Sequence, residues 1–193
     1  MSKRITFTLS QKSIQQAMKE LKAYRDSLPV KCETFVSRLA EIGISAARAN
    51  VNPEYGNYIT FHSEIDSPSK YGCKGLLIAT QTGLVRRQWR TIGNATGIET
   101  ADVSPLLMAE FGSGARASDA SGQKNASWAA EVGAGRGTFP GQEHAFDEGG
   151  WYWMDLDGEW HHSSGETPTM PMWNAYDQMF QSIANIAKEV FGS

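Results

Sequence analysis

The chain has 193 residues, 40% of them hydrophobic and 20% charged, with a net charge of −3 and a pI near 5.8. That length carries one domain with a real core. The charge excludes bulk attraction to nucleic acid as a driving force, and no apolar run approaches the roughly 20 residues that span a bilayer. The opening Met1-Ser2-Lys3-Arg4-Ile5-Thr6-Phe7 lacks the apolar centre of a signal peptide, so synthesis and retention in the cytoplasm until assembly are expected. Two cysteines, Cys32 and Cys73, are too few for a disulfide framework or a four-cysteine zinc site, and free thiols are expected.

Residues 3 to 9 alternate, with Ile5, Phe7 and Leu9 on one face, and read as a short strand. Ser10 is placed to cap a helix in which Ile14, Ala17, Met18, Leu21 and Tyr24 recur at helical spacing. Asp26-Ser27-Leu28-Pro29 predicts a break, and Pro29 suits the first turn of a second helix carrying Phe35, Val36, Leu39 and Ile42. Two helices, or one broken helix, thus form a long N-terminal element. Tyr58–Ile65 and Gly75–Thr80 then predict two antiparallel strands joined by a loop of about ten residues. Leu84–Arg90 reads as an edge strand or a lead into the loop Gly93–Gly97. Ser104-Pro105 opens a short helix with Leu106, Leu107, Met108 and Phe111 on its apolar side, and Gly112 stops it.

From Ser113 to Gly150 the chain holds eight glycines, many alanines and serines, and Trp128 alone in the middle. So long a stretch without apolar periodicity predicts an arm, 113–150, that orders only against a partner. Three of the six tryptophans, Trp151, Trp153 and Trp160, flank Asp155-Leu156-Asp157-Gly158, a turn sequence, so a β-hairpin is expected. A final helix from about Met172 to Phe191 is expected to bury Met172, Ala175, Met179, Ile183, Ile186, Ala187 and Val190. The fold class expected is α+β, as a single domain 1–193 with the extended arm.

Three segments come in a telling order: Met108-Ala109-Glu110-Phe111-Gly112-Ser113-Gly114, then Trp151-Tyr152-Trp153 through Trp160-His161, then Pro168-x-x-Pro171-Met172-x-x-Ala175. Together they resemble the tail-completion or neck protein family of long-tailed bacteriophages and prophages. Ser113 stands where that family usually has Thr, and Met172 where it usually has Phe. The resemblance implies a structural virion protein in the tail or neck, a homo-oligomeric ring with the hexameric symmetry of such tails, and partners among the tail terminator, tail tube or head-closure proteins. The interface residues expected on this reading are Glu110, Phe111, Gly112, Gly114, Trp128, Trp151, Trp153, Trp160, Pro171 and Met172, the aromatic ones because Trp and Tyr are enriched at protein interfaces. Physically, Gly112 and Gly114 permit a positive-φ helix stop and a close backbone approach. Glu110, near a helix C-terminus, opposes the helix dipole and needs a compensating cation or backbone donor, which a partner subunit could supply.

Chemistry beyond this is sparse. The four histidines are His62, His144, His161 and His162. His161 and His162 are adjacent and point to opposite faces of a strand, so they do not share an ion, and satisfied or solvated histidines are expected rather than zinc. Asp155–Glu159 starts like a calcium loop but lacks its terminal bidentate Glu. Gly133–Gly137 lacks the Lys-Ser/Thr of a phosphate loop. No enzyme and no cofactor is expected. Arg86, Arg87 and Arg90 around Trp89 are the candidate DNA-facing set, through phosphate attraction and stacking, as for genomic DNA in a ring lumen; the net charge favours a solvated strand or subunit contact instead. Two other classes stand beside the leading one: a sugar- or peptide-binding module using Trp151, Trp153 and Trp160, and a metal-dependent hydrolase built on His144, His161 and nearby acids.

Overall fold

The computed structural model describes residues 10–70, 72–91, 97–114, 116 and 149–192. The strand expected at residues 3–9, the loop 92–96, Trp128, His144 and most of the arm lie outside the described residues. The fold is α+β. In chain order it runs α1 (Gln11–Ala49), β1 (Ile59–Ile65), β2 (Gly75–Gln81), β3 (Val85–Thr91), β4 (Gly97–Val103), α2 (Pro105–Phe111), β5 (Trp151–Met154), β6 (Trp160–Ser163), β7 (Gly165–Glu166) and α3 (Pro171–Phe191). Among the described residues, no helix is long and apolar enough to cross a membrane.

The chain divides into two compact units, one made of residues up to Ser45, His62–Ile78 and Ala175 onward, the other of Ala46–Phe61 and Ala79–Asn174. In the first unit, Ser10 caps α1 as expected: its Oγ accepts from Ser13 N–H at 3.3 Å. The expected break at Pro29 does not occur, and α1 runs through it. A proline there removes one intrahelical hydrogen bond and crowds the carbonyl four residues back, a cost of about 3 kcal/mol. The packed second half of the helix offsets it: Ala40 is buried, Phe35 meets Phe191 at 5.7 Å, and Gly43 lies against Met179 and Leu77 so closely that a Cβ would collide with both. Arg38 reaches Glu189 at 2.7 Å. Ile186 and Val190 of α3 are buried, but Ile183 is 41% exposed, contrary to the expected burial. It shares an exposed stripe with Tyr176 and Phe180, at the i, i+4, i+7 spacing of one helix face.

In the second unit a four-stranded antiparallel sheet has the order β4-β3-β5-β6. β3 is therefore an internal strand rather than an edge, paired in full register with β4 from Val85↔Val103 to Thr91↔Gly97. β1 and β2 form a separate two-stranded sheet, and Thr60 Oγ1 meets Thr80 Oγ1 across it at 2.7 Å. α2 is capped as its sequence dictates: Ser104 Oγ accepts from Leu107 N–H, Pro105 takes the first turn, and Gly112 closes the helix with φ +66°.

Candidate functional site

The two motifs that flank the arm meet. Glu110 is 4% exposed, and its carboxylate accepts from the backbone N–H of Met172 (2.8 Å) and of Trp173 (3.0 Å). These are two of the donors that the first turn of α3 leaves without intrahelical partners, and a carboxylate there is favoured by the positive end of the helix dipole. The donor that Glu110 requires at the end of α2 thus comes from α3 of the same chain. One residue earlier, the Ala109 carbonyl accepts from Thr169 N–H (2.8 Å) and Met170 N–H (3.0 Å). Met170 adopts φ +53° to present its N–H there, a strained backbone for a side chain with a Cβ.

The glycines make this junction possible. Gly112 and Gly114 both have positive φ, and Ser113 and Gly114 form antiparallel bridges with Glu166 and Gly165. A Cβ on Gly112 would strike the Glu166 carbonyl, and one on Gly114 would strike Ser164 O and the Trp151 ring. Ser113 Oγ accepts from Glu166 N–H at 3.1 Å. Phe111, Gly112, Gly114 and Pro171 are buried, and Met172 is half-buried.

Glu166 extends the junction into a polar network. Its Oε2 accepts from the hydroxyl of Tyr55, a fully buried residue, at 2.6 Å, and Asn52 Nδ2 lies 3.5 Å from Oε1. Arg87 donates to Tyr55 Oη at 3.2 Å and pairs with Glu54. Burial pushes the Glu166 carboxyl above its ordinary value, helped by Glu54, while the Tyr55 hydrogen bond, Arg87 and Asn52 pull it back. Burial and the same carboxylate drive the Tyr55 phenol well above its usual range. Nothing local in the sequence signalled this network, which joins residues 52–55 to Arg87 and to Glu166.

The hairpin forms as expected. Asp155 N–H donates to Glu159 O, Gly158 takes φ +93°, and the pairs run from Trp151↔Ser163 to Met154↔Trp160. This register separates the aromatics. Trp151 and Trp153 share the half-buried face with His161, while Tyr152 (71% exposed) and Trp160 (59% exposed) lie on the other with His162. His161 stacks on Trp153 at 4.6 Å, and His162 Nε2 lies 2.6 Å from Gly149 O.

The three arginines are not one patch. Alternation places Arg87 on the opposite face of β3 from Arg86 and Arg90. Arg86 forks onto Asp102 (2.9 and 3.2 Å), raising its own pKa and lowering that of Asp102, and Arg90 donates to the Leu156 carbonyl. No protein-family model, curated protein or solved structure matches the chain.

Proposed function

We propose that the chain is a structural virion protein of a tailed bacteriophage, forming part of the neck or the head-proximal end of the tail by closing into a ring. The observation that carries this reading is the junction itself. The Glu-Phe-Gly-Ser-Gly and Pro-x-x-Pro-Met motifs, which carry the resemblance, act as one unit in which Glu110 caps α3. Their residues cap a helix and bridge two strands, which is structural work. The apolar stripes Ile14-Met18-Leu21 on α1 and Tyr176-Phe180-Ile183 on α3 add surface suited to head-to-tail association. Partners of this reading are further copies of the chain, the tail terminator, tail tube or head-closure proteins, and DNA in the lumen.

The test is particle mass in solution by light scattering, with negative-stain images of the same sample. Closed rings with a hole about as wide as a duplex are expected. A monodisperse monomer at the highest attainable concentration overturns self-assembly as the mechanism.

A sugar- or peptide-binding reading is favoured by one observation, the exposed Tyr152 and Trp160 on a single hairpin face. It predicts that a Trp160→Ala, Tyr152→Ala double variant loses ligand binding while keeping its assembly state.

A further inference from the structure

On the half-buried face of the hairpin, Asp155, Glu159 and His161 bring three donor atoms within 4.8 Å of one another. The register explains why. Asp155 follows Trp153 by two residues on one side of the turn, Glu159 precedes His161 by two on the other, and Trp153 pairs with His161. All four side chains therefore leave the ribbon on one face. His162, the neighbour that cannot join them, points the other way.

We propose that Asp155, Glu159 and His161 form a divalent transition-metal site, with Zn²⁺ as its natural ion. Each donor is held ready by the fold. Asp155 Oδ1 is fixed by the N–H groups of Asp157 (3.0 Å) and Glu159 (2.8 Å), which turns Oδ2 toward His161 Nε2, 2.7 Å away. The His161 ring is fixed from the side by the Trp153 stack. Glu159 is the exposed, adjustable third arm. Bonds of about 2.0–2.2 Å to a tetrahedral zinc place donors about 3.2–3.5 Å apart. The His161–Asp155 pair has to open by less than an ångström, and a rotation of Glu159 closes the rest. Water completes the fourth position.

The donor set and its neighbour select the ion. Calcium takes six to eight oxygens, whereas this site offers two carboxylates and an imidazole. Arg90, donating to the Leu156 carbonyl at the same turn, brings a positive charge that opposes ions held by charge alone. An ion with a strong bond to imidazole nitrogen overcomes it. Once bound, the metal ties the two strands across the turn and stiffens the ribbon.

The test is calorimetric titration of Zn²⁺ into the metal-free full chain, with Co²⁺ absorption spectra and thermal melts on the same preparation. One Zn²⁺ per chain, a melting temperature that rises with zinc, and a cobalt spectrum without a thiolate charge-transfer band are expected. The last result excludes Cys32 and Cys73 as ligands. Glu159→Gln is the decisive variant, because its side chain caps nothing in the turn. It should melt like the parent without metal and bind zinc more weakly by at least the roughly 10–100-fold that loss of an outer-shell partner costs. His161→Gln should abolish binding. No saturable binding, an affinity unchanged by Glu159→Gln, or a thiolate band overturns the proposal.

Discussion

Glu110 lies 62 residues before Met172 in the chain, and its carboxylate caps the helix that Pro171 begins. A single buried side chain thus holds the first turn of α3, and it does so by satisfying two backbone donors at once.

Glu110→Ala leaves those donors buried without the acceptor. With charge-assisted hydrogen bonds worth about 1.5–3 kcal/mol each and part of the loss recovered by water, the cost is about 2–4 kcal/mol. For a chain of this size that lowers the melting temperature by roughly 5–15 °C. Glu110→Gln, which keeps one acceptor oxygen, should fall between. Thermal melts of the three proteins check the order.

Gly165→Ala should be among the most damaging small substitutions. Gly165 has φ +97°, and a Cβ there would strike the Ser113 carbonyl, prising apart the bridge between the two motifs. A loss of about 2–4 kcal/mol in chemical denaturation is expected. Gly83→Ala, where a Cβ meets nothing and φ is not positive, is the control and should be near neutral.

The Tyr55–Glu166 pair gives a pH signature. Burial raises the folded-state pKa of Glu166 above 4.5, so the folded chain holds that proton more tightly than the unfolded one. Stability from this group is full below the unfolded value and is lost as pH rises toward the folded value. Glu166→Gln should therefore gain on the parent as pH rises from about 4 to 7. Tyr55→Phe should do the reverse, because the phenol hydrogen bond favours the charged carboxylate and its loss costs more where Glu166 is ionised. Denaturant midpoints across that range measure both, and parallel curves for parent and variants would sink this account.

Pro29→Ala should stabilise the chain. It restores a hydrogen bond to the Arg25 carbonyl inside α1, and the gain of up to about 3 kcal/mol is reduced by about 0.5–1 kcal/mol because alanine frees the unfolded chain. Greater helicity by circular dichroism and a higher melting temperature are the readouts.

The arm can be tested apart from the body. Arg116 N–H donates to Ser164 O at 3.3 Å, and a Cβ on Gly150 would strike the Ser163 carbonyl, so Arg116 and Gly150 both lie against the segment Ser163-Ser164. Replacing residues 117–148 with a short Gly/Ser linker should leave the melt unchanged, since loop closure depends only weakly on length. On the ring reading, the same variant should lose assembly by light scattering.

What the sequence disclosed was what its cues settle locally. Ser104, Pro105 and Gly112 write the start and stop of α2 within nine residues, and Asp155–Gly158 writes the hairpin turn in four. Pro29 misled because the local rule is a cost, and the packing of Phe35, Ala40 and Gly43 exceeds it. β4 was missed because it exposes nearly every residue, so no alternation marks it; its pairing with β3 is backbone against backbone. The arginines of β3 showed that it faces water, which is a property of sheet face and not of sheet edge. For Glu110 the sequence showed the need for a donor but not its source, and for Tyr55, Arg87 and Glu166 it showed nothing, because each acquires its partner only through tertiary folding.

The cap on α3 also sets an order of events during synthesis. Glu110 is translated 62 residues ahead of the N–H groups it will hold. At about 5–20 residues per second that is a wait of roughly 3–12 s. Through that interval Ala109 to Gly114 have no strand to bridge and Glu110 stays hydrated. A product cut short before Gly165 never closes the junction. Glu110 thus waits as a hydrated carboxylate for donors that are made last, and a fragment that ends before them is left without this junction.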